Sequence, residues 1–170
     1  MVRVSDFLLN RQSMVNLVDP APDGVVLERL YRMSMRAPDH AQLKPCRWLV
    51  FEGETRQWLG AVFREAQLRQ RPDTSVDALE RSARLPLRAP MVVALVARLE
   101  PHPKVPELEQ LLSAGCSAFA LVLGLEAEGF GGVWRTGEFC YGPWVAVQLE
   151  LAAQERLVGF IYAGTPAPGV

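Results

Sequence analysis

Hydrophobic and polar positions along the chain follow two rhythms, one helical and one extended. "SDFLLNRQS" (residues 5–13) gathers apolar residues behind Ser5, which predicts a short first helix with Ser5 as its N-cap. After the turn chemistry of "PAPDG", "VVLERLYRMSMR" (25–36) has apolar residues at helical spacing and should end before Pro38. "RWLVFEG" (47–53) reads as a strand ended by Gly53. "ETRQWLGAVFREAQLRQR" (54–71) reads as an amphipathic helix, with Trp58, Leu59, Val62 and Phe63 on one face and Pro72 closing it. "SVDALERSARL" (75–85) is a second, more polar helix.

"APMVVALVARL" (89–99) is continuously apolar and rich in Val, the pattern of a strand buried on both faces. "PELEQLLSAGCSAFALVLGLEAEG" (106–129) predicts the longest helix, with acids in its first turn and Gly129 at its end. Its small residues Ser113, Ala114, Gly115, Ser117 and Ala118 would admit another backbone closely. "GGVWRTG" (131–137) is a short strand leading into a loop, "GPWVAVQLEL" (142–151) a helix, and "RLVGFIYAG" (156–164) the last strand. Helices alternate with four strands around one core, so the class is α+β or α/β and residues 1–170 are expected to form one domain.

Composition narrows the function classes. Apolar residues make up 49% and charged residues 22% of the 170, ordinary for a folded chain. The 18 basic and 19 acidic residues nearly cancel, which removes the electrostatic reason to expect nucleic-acid binding. Cys46, Cys116 and Cys140 are odd in number and contain no C-x-x-C pair, so a reducing, cytoplasmic setting is expected rather than a disulfide framework or zinc site. The N-terminal segment lacks the small-residue cleavage pattern of a signal peptide. The apolar run 111–125 is interrupted by Ser, Gly and Cys, so it reads as a buried helix and no membrane partner is expected.

The densest polar stretch is "MRAPDHAQLKPCRW" (35–48), wedged between a helix and a strand. A nucleophile–base pair of Cys46 and His40 is one reading, but no third orienting group is identifiable, and a Cys in a Pro-Cys-Arg turn is more often a small buried hydrophobe. His102 in "PHPK" has no spaced partner, and two His in the chain make a His-based metal site improbable; no metal is expected. The markers G-x-S-x-G, G-x-G-x-x-G and the Walker loop are absent. Three polar islands remain: Arg11-Gln12-Ser13, Arg36 with His40, and Trp134-Arg135-Thr136 behind a pair of glycines. Guanidinium forks, hydroxyls and close backbone approach are what a phosphorylated planar cofactor requires. Taken alone, an Arg-Gln-Ser is more often surface decoration, and Gly-Gly-Val-Trp-Arg is equally a plain strand entrance.

Taken together the islands resemble the FMN-dependent nitroreductase family, in particular its short bacterial branch. The resemblance rests on "RQS", "MRAPDH", "KPCRW", "KVPELEQLLSAGCSA", "GFGGVWRTG" and "VGFIYAGTP", in the family's order and across nearly the whole chain. It implies an α+β sandwich with a central, mostly antiparallel sheet flanked by helices, forming an obligate homodimer with FMN at the subunit interface. By motif, Arg11, Gln12 and Ser13 would grip the ribityl-phosphate end. Arg36 and His40 would reach the flavin from the other subunit. Trp134, Arg135 and Thr136 would complete the first subunit's share. The implied reaction is ping-pong: NAD(P)H reduces FMN, which then reduces a small-molecule acceptor such as a nitroaromatic or quinone. The flavin carries the chemistry, so no protein nucleophile is needed.

The chain departs from the family pattern at three places. Its second Arg is Gln12, and losing one of several charge-assisted hydrogen bonds costs roughly 1–3 kcal/mol. Gln-Pro-Trp has become Lys44-Pro45-Cys46, where Lys44 would bring a positive charge toward the flavin's pyrimidine side. The expected Ser is Thr136. These departures leave open a second reading, a non-catalytic protein that binds FMN weakly or without turnover.

Overall fold

The computed structural model describes residues 3–168. In chain order its elements are α1 (Val4–Asn10), β1 (Leu17–Val18), α2 (Gly24–Ser34), β2 (Cys46–Glu52), α3 (Glu54–Gln70), α4 (Val76–Ala83) and β3 (Met91–Arg98). They continue with α5 (Glu107–Ala127), β4 (Gly131–Arg135), α6 (Glu138–Tyr141), α7 (Pro143–Gln148) and β5 (Glu155–Pro166). All strand pairs are antiparallel. β3 lies between β2 and β5, in registers running from Cys46↔Ala97 to Glu52↔Met91 and from Met91↔Ala163 to Arg98↔Glu155. β5 also carries β4, from Gly131↔Gly164 to Arg135↔Phe160, and the two-residue β1 at Leu17↔Pro166.

The period-two rule divides β3 between two cores. Met91, Val93, Leu95 and Ala97 face Leu30 of α2 and Ala114, Ala118, Leu121 and Leu125 of α5. Val92, Ala94 and Val96 face Leu59, Val62, Phe63 and Ala66 of α3, with Val145 of α7. Because helices cover both faces, β3 needs no polar alternation, and its apolar run is buried as the pattern predicts. Fully burying one such side chain is worth about 1.5–3 kcal/mol, so this double-faced strand anchors the fold.

Several local expectations are corrected. The first helix begins at Val4 after Arg3 rather than at a Ser5 cap, and the Ser5 hydroxyl instead donates to Asp6 at 3.5 Å. α2 is capped by Asp23, whose carboxylate accepts from the Val26 N–H at 2.8 Å. Trp58 is exposed and stacks on Phe51 at 6.0 Å, while Ala66 completes the buried face of α3. β1 and α6 are additional to the predicted elements, making five strands. Four of the five small residues of α5 turn inward: Ser113, Ala114, Ser117 and Ala118 are buried against this chain's own sheet and loops, while Gly115 is only partly buried with open space beside it. The outward side of α5 carries Leu108, Leu111, Leu112, Cys116 and Phe119. This helix is long and apolar enough to cross a membrane by composition, yet 50% of its most apolar window is buried inside the fold.

Candidate active site

β4 ends beside a cavity of about 650 Å³ lined by Trp134, Arg135, Thr136, Glu138, Phe63 and Tyr162, among others. Ligand cavities commonly occupy roughly 300–1,000 Å³. One wall is aromatic: Phe63 stacks on Phe139 at 4.4 Å and meets Phe160 edge-on at 5.0 Å. The Arg135 guanidinium lies 6.0 Å from the centre of the Tyr162 ring. Burial pushes the Tyr162 hydroxyl up to about 12, and the positive charges of Arg135 and Arg88 oppose that shift. At the rim Arg71 pairs with Glu138 at 3.0 Å, joining the end of α3 to α6.

Trp134 is placed by a missing side chain. Its indole N–H donates to the Val158 carbonyl at 3.4 Å, and a Cβ at Gly159 would stand 2.6 Å from the indole Cδ1. Only glycine at 159 leaves that space.

Arg11, Gln12 and Ser13 follow α1. Arg11 is half-buried, whereas Gln12 and Ser13 are exposed. The next residue, Met14, donates its N–H to the Gly132 carbonyl at 3.1 Å, which ties the "RQS" segment to the β4 that carries Trp134–Thr136. A second cavity of about 490 Å³ lies between residues 15–18, Arg88 and Arg135.

Arg36, His40 and Lys44 sit elsewhere. Arg36 follows α2 and borders a shallow cavity of about 350 Å³ with Arg29, Arg32 and Met33. His40 occupies a short 3-10 turn and pairs with Glu109 of α5 at 2.9 Å. Lys44 is exposed at a φ of +50°, and Ala41 and Gln42 also have positive φ. Asp39 holds this loop, its carboxylate accepting the N–H groups of Leu43 (3.2 Å) and Lys44 (2.7 Å). The Ser113 hydroxyl donates to the Pro38 carbonyl at 2.7 Å and fastens the loop to α5. α2 and α5 cover one face of the sheet, while Phe63, Phe160 and Tyr162 belong to the core of the other. Within one chain, the fold therefore joins the first and third polar islands through β4 and leaves the 36–44 loop apart.

The Cys46–His40 pair does not form an active site. Cys46 is buried, burial pushes its thiol up to about 12, and the His40 ring faces Glu109 instead. A thiol so far from ionisation is a poor nucleophile. Sequence reading missed Asp39, Tyr162, Phe63 and the Arg71–Glu138 pair. Asp39 had a detectable signal, an Asp after Pro at a helix exit, which suits side-chain bonding to nearby backbone N–H groups. The aromatic residues had none, because they look like ordinary core in sequence.

The donor set suits a phosphorylated aromatic ligand: cationic forks at Arg135 and Arg88, a hydroxyl at Thr136, and an aromatic wall beside them. Among the described residues no three His, Cys, Asp or Glu side chains gather where a metal could bind.

The sequence profile of the Nitroreductase family matches residues 9–165. The chain belongs to this family. A relative from Escherichia coli (strain K12), "Putative NAD(P)H nitroreductase YdjA", is 38% identical over 95% of this chain and 87% of its own length. Among solved structures, the nitroreductase-like family protein from Bacillus cereus superposes with a TM-score of 0.79 at 19% identity, covering 98% of this chain and 87% of that one. The FMN and NADPH-dependent nitroreductase NfnB from Sphigopyxis sp. strain HMH gives 0.73 at 17% identity, covering 96% and 88%. The nitroreductase fold of this chain is thus the α+β sandwich described above.

Proposed function

We propose that this nitroreductase-family chain is an FMN-dependent oxidoreductase that takes hydride from NAD(P)H and passes it to a nitroaromatic, quinone or similar small acceptor by a ping-pong route. The observation that carries the reading is the cavity at the end of β4, where Arg135 and Thr136 stand beside an aromatic wall. FMN bound there would supply the two-electron chemistry. The protein's part is to bind and orient. Arg135 and Arg11 offer guanidinium donors to the phosphate, Ser13 and Thr136 offer hydroxyls, Gln12 offers its amide, and Trp134 packs beside the site.

The same reading requires a homodimer. Arg36, His40 and Lys44 lie on the opposite side of the sheet from the aromatic wall, so a second copy is the natural way to complete the site with them. α5 supplies a surface for that copy: Leu108 is 66% exposed, Leu112 61% and Phe119 46%, at helical spacing along one side. Such contiguous apolar exposure is characteristic of obligate interfaces.

The visible spectrum of the purified protein is the direct test. Oxidised-flavin bands that bleach on adding NADH or NADPH are expected, and return on adding a quinone or nitroaromatic. A colourless protein that gains no bound flavin from added FMN would refute the reading.

A further inference from the structure

The cavity between residues 15–18, Arg88 and Arg135 presents two guanidinium groups and no carboxylate among its lining residues. Arg88 ends the 3-10 turn Leu85–Arg88 and is exposed. Arg135 ends β4. Among the described residues neither arginine takes part in an ion pair, although seven arginine–carboxylate pairs form elsewhere. Two cations facing one hollow repel each other unless an anion joins them.

Close packing creates this juxtaposition. A Cβ at Gly164 would stand 2.6 Å from Pro90 Cδ and 3.0 Å from the Val18 carbonyl oxygen. Gly164 therefore lets the 88–90 segment and residues 15–18 converge on β5. Both arginines line this one hollow, and Arg135 also lies 6.0 Å from the centre of the Tyr162 ring. The chain reaching this hollow is the continuation of Arg11-Gln12-Ser13, where Gln12 carries no charge.

We propose that Arg88 and Arg135 form a two-guanidinium cradle for the phosphate of the bound flavin mononucleotide, Arg88 supplying the positive charge that Gln12 does not. This rests on the FMN reading above and adds Arg88 to it as a binding residue. The cradle recognises the phosphate and not the ring, so it discriminates FMN from riboflavin.

The test is a fluorescence titration of the full chain, freed of flavin, with FMN and separately with riboflavin. The variants are Arg88→Ala, Arg88→Lys and, as a reference, Arg135→Ala. Arg88→Ala is expected to weaken FMN binding by about tenfold or more while leaving riboflavin binding unchanged. Arg88→Lys should recover part of the loss, and the FMN affinity of Arg88→Ala should depend less steeply on salt than that of the parent protein. An unchanged melting temperature for Arg88→Ala shows that the exposed side chain is not acting through folding. Equal FMN affinity in Arg88→Ala and the parent would overturn the cradle and leave the FMN reading standing. So would equal losses for FMN and riboflavin, since the phosphate would then not be the point of contact. A parent chain that binds neither flavin would overturn the FMN reading, and the cradle with it.

Discussion

The indole of Trp134 crosses β5 over Gly159, with its Cδ1 2.6 Å from where a Cβ at 159 would be and the Arg135 carbonyl 2.9 Å from the same point. A single methyl at 159 must therefore move both the indole and the β4 backbone that carries Arg135 and Thr136. Gly159→Ala is expected to lose about 1–3 kcal/mol of stability, as overpacked cores do, and to weaken flavin binding in parallel. Thermal denaturation together with FMN titration checks this. A variant that keeps full stability and affinity would show that Trp134 has another place to go.

On α5, Leu112 faces outward among Leu108, Cys116 and Phe119. Leu112→Glu places a charge in the middle of the proposed dimer face, where burial would leave it unpaired. The expected result is a monomer by sedimentation and a loss of bound flavin, since each site would lack the partner's 36–44 loop. A dimer that persists in Leu112→Glu would move the interface elsewhere.

Cys46 and Arg11 separate the thiol reading from the cofactor reading. Cys46→Ser should leave flavin reduction by NAD(P)H intact, because the buried thiol, held near 12, takes no part in it. It should lower the melting temperature modestly, because a hydroxyl replaces a buried hydrophobic group. Arg11→Ala should do the reverse, weakening FMN binding by about tenfold or more with little change in stability. Flavin fluorescence titration and stopped-flow bleaching distinguish the two patterns.

Glu155 sets a limit at low pH. Its carboxylate accepts from Arg47 Nε at 2.6 Å and Nη2 at 2.7 Å, lies 3.8 Å from Arg98, and accepts the Ala152 N–H at 3.1 Å. The Arg47 hydrogen bonds hold its carboxyl below the ordinary value of 4.5 despite its burial. A carboxyl with a lower pKa folded than unfolded binds fewer protons when folded. Its stabilisation is complete above about 4.5 and is lost as pH falls through the folded value. Glu155→Gln is expected to cost roughly 1–3 kcal/mol at neutral pH, with the difference from the parent shrinking in acid. Denaturant unfolding at neutral and acid pH tests the sign. A difference that grows in acid would contradict it.

Legibility followed the length over which a pattern repeats. β3 was readable because one uninterrupted apolar run has few alternatives, and α5 because its helical block persists for 21 residues. β1 has two residues and exists only because Thr165 and Pro166 lie opposite it. α6 has four. The small residues of α5 were noticed in sequence, but the direction they face was not. Composition cannot say whether Ala114 and Ala118 turn toward this chain's sheet or toward another copy, and the sheet took them.

The candidate site divides in the same way. Arg11, Ser13, Trp134, Arg135 and Thr136 stood out in sequence because cations, hydroxyls and paired glycines are concentrated in short stretches. Local side-chain chemistry is a property of neighbours in the chain, so the sequence by itself determined which groups are available. Which of them meet depended on contacts between distant segments. The Met14–Gly132 hydrogen bond ties "RQS" to β4, Gly164 admits Arg88 beside residues 15–18, and Asp39 and Ser113 hold the 36–44 loop on the other side of the sheet. Only the tertiary structure decided those meetings, because they follow from sheet register and from the close approach of backbones, which no short window of residues encodes.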